Sequence, residues 1–135
     1  MQRSREDWIR QAMRDLNRAE LDVEHEFYEW ACFTSQQAAE KSVKAVYQAL
    51  NSSVRGHSVM KMLNGLNEQF DISEDIIHGA RILDRYYMEA RYPNGFPEGS
   101  PFDYFDDKIA EEAYNAASEI LGFCEDIIRR LQSST

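Results

Sequence analysis

All three prolines of the chain, with two of its six glycines, fall between Pro93 and Pro101. Proline lacks an amide donor and disfavours helical geometry in the residue before it, so a helix must stop here. Both flanks carry helical periodicity. Trp8, Ala12, Leu16, Ala19 and Val23 recur every three or four residues as one helix face, which Ser4 can cap with Asp7 in the first turn. A second helix from about Phe27 places Tyr28, Cys32, Ser35, Ala39, Val43, Val46 and Leu50 on one side, until Asn51-Ser52-Ser53 and Gly56 end it. Met60, Leu63 and Leu66 read as a short third helix. Ser73 caps a fourth that carries Ile76, Ala80, Leu83 and Tyr87 inward and stops near Arg91–Tyr92. Ser100-Pro101 then reads as N-cap and first residue of the last helix, with Asp103 in its first turn. Its inner face is Ile109, Ala113, Ala117, Ile120, Cys124, Ile127 and Leu131. The expected fold is all-α: an antiparallel up-and-down bundle of four long helices plus one short helix, a single domain over residues 1–135.

Several function classes drop out early. No apolar run approaches the ~20 residues of a membrane span, and MQRSREDWIRQAM has no hydrophobic signal core. Cys32 and Cys124 stand far apart among apolar neighbours, as buried thiols of a reducing compartment do. A cytoplasmic location and no membrane partner are expected. Charge is uneven. Residues 1–61 hold nine basic and nine acidic side chains, whereas residues 62–135 hold six and fifteen, which accounts for the net charge of −9. Such a surface repels phosphate backbones at long range, leaving a local basic pocket or a basic protein partner.

Asp22-x-x-His25 and Asp75-x-x-His78 loosely match carboxylate–histidine metal pairs of bundles. At ~100° per residue both histidines point away from their apolar stripes, so no metal site is expected. No Gly-x-Ser-x-Gly occurs, neither cysteine has a local base, and Asn94-Gly95 and Glu98-Gly99 are turn glycines, not a phosphate loop. Gln37, Lys41, Lys44 and Gln48 share a stripe that reads as a solvated face; Gln37, Lys41 and Lys44 are secondary ligand-binding candidates. A flank of Ala31, Ala38, Ser42, Ala45 and Ala49 suits the close approach of a helix or subunit.

The fourth helix says more. Ala80, Asp84, Tyr87 and Arg91 lie along one stripe; with Leu83 and Tyr87 inward, Asp84 and Arg91 fall at the core's margin, and Arg81 and Arg85 turn away. A guanidinium there needs carboxylate, phosphate or carbonyl partners. Either Arg91 ties down the proline loop, helped by the helix dipole, or it clamps an anion between Tyr87 and Tyr92. The ligand-binding candidates are therefore Asp84, Tyr87, Arg91 and Tyr92.

Three segments in order resemble one family: Trp8…Ala12…Asp15-Leu16…Ala19; Gln37-Ala38-Ala39-Glu40-Lys41…Lys44-Ala45 with Gly56-His57; and Leu83-Asp84…Tyr86-Tyr87…Arg91-Tyr92-Pro93. Together they resemble the HEPN domain (higher eukaryotes and prokaryotes nucleotide-binding), over almost the whole chain. The resemblance implies a helical bundle, commonly a homodimer. It also implies a small nucleotidyltransferase as partner, in some pairs as toxin and antitoxin. Many members are metal-independent endoribonucleases whose signature is an Arg followed about four to six residues on by His. Arg91 matches the Arg, but residues 95–98 are Gly-Phe-Pro-Glu and the His is absent. The expected function is a nucleotide-binding or nucleotidyltransferase-partner module, non-catalytic by itself and without a cofactor. The alternatives are a divergent ribonuclease acting on RNA through Arg91 and His57, and a protein-interaction scaffold.

Overall fold

Five α-helices follow one another: α1 Arg5–Glu24, α2 Tyr28–Ala49, α3 Val59–Leu66, α4 Glu74–Glu89 and α5 Asp107–Ser133, with 3-10 turns at Pro93–Gly95 and Pro101–Tyr104. They come from a computed structural model that describes residues 4–133; residues 1–3 and 134–135 of the expected domain lie outside the described residues. The expected caps form. Ser4 Oγ accepts from the Asp7 amide at 3.2 Å, and Ser73 Oγ from the Ile76 amide at 3.2 Å. The architecture is the antiparallel bundle of four long helices and a short one. No described helix is long and apolar enough to cross a membrane.

α2 runs through the middle, packed by α1, α5 and α4. Ala31, Cys32, Ala38, Ala39, Val43, Ala45 and Val46 have no exposed surface. Small side chains let the neighbouring helix axes close in. The flank of Ala31, Ala38, Ser42 and Ala45 is therefore covered by the chain's own helices rather than open to a second subunit. Around α2, Leu63, Leu83, Ile120 and Ile127 are fully buried, each contributing about 1.5–3 kcal/mol relative to an exposed position.

The central position of α2 corrects a second expectation. Gln37, Lys41, Lys44 and Gln48 are half-buried, not solvated. Lys41 Nζ pairs with Asp15 of α1, and Lys44 Nζ pairs with Glu40 Oε2 at 3.0 Å while lying 5.7 Å from the Trp8 ring centroid. A phase argument assumes one buried stripe; a helix with neighbours on several sides has more.

α4 and α5 run antiparallel, for Gly79 of α4 faces Ala116 while Tyr86 packs on Phe105 just before α5, at 5.6 Å between ring centroids. A Cβ at Gly79 would stand 3.2 Å from the Ala116 Cβ, so the two helices cross closely here. The buried face of α4 is Ile77, Gly79, Ala80, Leu83 and Tyr86. Ala80 and Leu83 are where the periodicity puts them, but Ile76 and Tyr87 are only half-buried. Close packing of Gly79 and Tyr86 against α5 and the segment before it buries positions beside the expected stripe, which a wheel drawn from apolar spacing alone does not contain.

α4 ends at Glu89, two residues before the Arg91–Tyr92 boundary expected from the proline window. The last helix starts later than the Ser100-Pro101 signal suggests. Asp103 Oδ2 accepts from the Ser100 amide at 2.9 Å, closing only a 3-10 turn. Phe105 is then extended (φ −119°, ψ 137°), and Asp106 Oδ1 caps α5 by accepting from the Ile109 amide at 2.9 Å. Packing of Phe105 on Tyr86 separates the two helical starts.

Candidate functional site

Tyr87, near the end of α4, is the centre of an aromatic cluster. The His57 ring stacks on it at 4.2 Å with planes 19° apart, and Phe33 of α2 lies 6.1 Å away at 41°. One turn further along, Arg91 folds back: its Nε and Nη2 both donate to the Tyr87 carbonyl, at 2.9 and 2.7 Å. Its Cζ then stands 4.4 Å from the Phe33 ring centroid, 4.7 Å from that of Tyr87 and 5.0 Å from that of Tyr92. Among the described residues no carboxylate lies within ion-pair distance of Arg91, and Nη1 makes no hydrogen bond. The charge is held by π faces and a carbonyl at the negative end of a helix.

His57 reaches this cluster from the α2–α3 link, where Gly56 at φ 101° turns the chain in a conformation that favours glycine. Two contacts fix it to α2. Its backbone carbonyl accepts from Gln36 Nε2 at 2.8 Å, and its Nδ1 donates to Glu40 Oε1 at 3.1 Å, since a carboxylate can only accept. Glu40 is buried and also takes Lys44 Nζ on its other oxygen, so its charge is balanced inside the bundle. About half of the His57 side chain is exposed, and Nε2 makes no hydrogen bond among the described residues.

Asp84 has a different task. Its two oxygens accept from Ser58 Oγ at 2.8 Å, the Val59 amide at 2.7 Å and the Met60 amide at 3.2 Å. It caps α3 and docks that helix on α4, and it does not meet Arg91. The three bonds leave it little capacity to hold a ligand.

Of the sequence-derived candidates, Tyr87, Arg91 and Tyr92 come together along an open groove of about 680 Å³ that Glu89, Asn94 and Gly95 also line. His57 joins them through Tyr87. Gln37 donates to Gln36 at 2.7 Å behind His57, Lys44 supports Glu40, and Lys41 is committed to α1. Sequence reasoning assigned no role to Phe33, Gln36, Glu40 or Glu89. The i, i+4 spacing of Gln36 and Glu40 was visible, but nothing local announced that His57 would be their partner. Among the described residues no group of three His, Cys, Asp or Glu side chains is placed to hold a metal. His25 and His78 are exposed. Cys32 and Cys124 are free and buried, and burial pushes both thiols well above their ordinary value.

Solved structures share this arrangement of helices. A protein of Thermus thermophilus superposes with a TM-score of 0.89 at 37% identity, over 91% of this chain and 97% of its own. An archaeal HEPN homologue gives 0.80 at 38% identity, over 94% and 99%. A HEPN domain protein from Thermotoga maritima gives 0.75 at 40% identity, over 92% and 98%. Among curated proteins none matches significantly. The profile described as HEPN domain matches residues 5–127, and with it the chain belongs to the HEPN family.

Proposed function

We propose that this HEPN domain is a nucleotide-binding module, non-catalytic by itself, whose ligand sits in the groove at the C-terminal end of α4. The observation that carries this is the state of Arg91: its guanidinium lies over three aromatic rings, carries no carboxylate partner among the described residues and borders a groove of about 680 Å³. That volume is in the range of small-molecule sites, roughly 300–1,000 Å³. Nη1 is the donor for a phosphate oxygen, and Tyr92, 44% exposed, offers a face on which a base can stack. Isothermal titration of the wild type and Arg91→Ala with nucleoside monophosphates tests it. Binding that weakens at least tenfold in the variant is the expected result; equal affinities, or no binding by the wild type, refute the proposal.

A second reading, a divergent metal-independent ribonuclease, is favoured by one observation. Glu40 holds Nδ1 of His57 beside the ring that Arg91 also touches. A carboxylate-oriented imidazole with its other nitrogen unused is suited to general acid–base work, with Arg91 on the phosphate. RNA cleavage in excess EDTA, abolished by His57→Ala and by Arg91→Ala alike, is what it requires. Intact RNA after incubation with the wild type rules it out.

A further inference from the structure

We infer that Glu89 makes the groove selective for guanine, an inference that rests on the nucleotide-binding reading above. Glu89 closes α4 and is half-buried. A Cβ added at Gly95 would stand 3.8 Å from Glu89 Cγ, so the side chain runs beside Gly95 on the wall shared with Arg91 and Tyr92. It makes no hydrogen bond or ion pair among the described residues. The groove is thus lined both by Glu89, whose carboxylate has no partner among the described residues, and by Arg91, whose guanidinium has no carboxylate partner there.

A carboxylate beside an anionic ligand is repulsive unless the ligand brings donors to it. The four common bases differ sharply in this respect. Guanine presents two adjacent donors, N1–H and the 2-amino group, which the two oxygens of an ionised carboxylate can both accept. Adenine and cytosine place an acceptor next to their donor, and uracil flanks one donor with acceptors. Asn94, on the same wall, carries an amide donor of the kind guanine O6 needs. A guanine nucleotide therefore satisfies both charged residues: its phosphate takes Arg91 and its Watson–Crick edge takes Glu89. The other nucleotides leave Glu89 facing a lone pair.

The test is titration of the full chain with GMP, AMP, CMP and UMP, and with IMP, which has the N1–H but lacks the 2-amino group. GMP is expected to bind roughly tenfold or more tighter than AMP, the scale of one bidentate base contact, with IMP in between. Glu89→Gln keeps the shape of the side chain but offers one acceptor and one donor. It should bring the GMP preference to within about twofold, by weakening GMP binding and by offering AMP the acceptor and donor that adenine N6–H and N1 match. Circular dichroism confirms that the variant is folded. If all four wild-type affinities are equal, guanine selectivity is overturned and the nucleotide-binding reading stands. If the preference persists in Glu89→Gln, the role of Glu89 is overturned. If no nucleotide binds, both fall.

Discussion

The rings of His57 and Tyr87 lie face to face, 4.2 Å between centroids, although one belongs to the link after α2 and the other to the end of α4. The stack is held from behind by Glu40 on the His57 side and abutted by Arg91 on the Tyr87 side. A buried ion pair and a surface groove are thereby connected through two aromatic contacts.

Arg91→Lys should behave like Arg91→Ala in nucleotide binding, losing at least tenfold, because an ammonium presents no planar fork and does not reach three rings as the guanidinium does. The stability loss should be only about 1 kcal/mol, the net worth of hydrogen bonds to one carbonyl. Titration calorimetry and urea unfolding on the same samples separate the two. A lysine variant with full affinity would show that charge alone is recognised.

Glu40→Ala strands Lys44 inside the bundle and should destabilise the fold by about 3–5 kcal/mol. Adding Lys44→Met should restore at least half of that, since the cost lies in the uncompensated charge. His57→Ala, with its side chain half exposed, should lose only about 1 kcal/mol. Denaturant midpoints of these proteins and of Lys44→Met alone give the coupling directly. If the double variant is no better than Glu40→Ala, the ion pair is not the source.

Asp84→Ala leaves the Val59 and Met60 amides and the Ser58 hydroxyl without their acceptor, and should cost about 1–3 kcal/mol. The loss should be local first. Hydrogen exchange over α3 should quicken more than over α1 or α5, whereas nucleotide affinity should change little. An affinity loss as large as that of Arg91→Ala would place Asp84 in the binding site instead.

Alkaline pH should destabilise this protein in two overlapping steps. Burial holds the Cys32 and Cys124 thiols above their ordinary 9.0 and, with a smaller contribution from the neighbouring Cys32, pushes the Tyr86 phenol from 10.0 up to about 12. In each case the folded state keeps a proton that the unfolded chain releases. Stability is therefore full below about pH 9 and falls as pH rises, with the Tyr86 share lost between about 10 and 12. Urea midpoints from pH 7 to 11 measure the slope, and Tyr86→Phe should flatten it above pH 10. An unchanged slope in that variant would contradict the assignment.

The bundle was legible because its determinants are local. Ser4 and Ser73 cap within one turn, Ala12 and Leu16 repeat at helical spacing, and Pro93 acts on its neighbours. The site was legible only on one side. Arg91, Tyr87 and Tyr92 share a helix end, so their meeting is written in consecutive turns. His57, Phe33 and Glu40 arrive from α2 and its link, and only the packing of α2 against α4 makes them neighbours. The same limit explains Asp84, whose spacing from Arg91 was plain while its true partners, the first amides of α3, lay elsewhere in the chain. It also explains Lys44, whose apparent freedom vanished once α2 proved to be surrounded.

The groove draws on two kinds of ground. Tyr87 stacks on His57, which Glu40 and Gln36 of the packed bundle hold in place. Glu89, Tyr92, Asn94 and Gly95 hang from the last turn of α4 and the loop after it, outside the buried core. Substitutions in that second set leave helix packing almost untouched. Descendants of such a chain can exchange what they recognise while inheriting, unaltered, the means by which they fold.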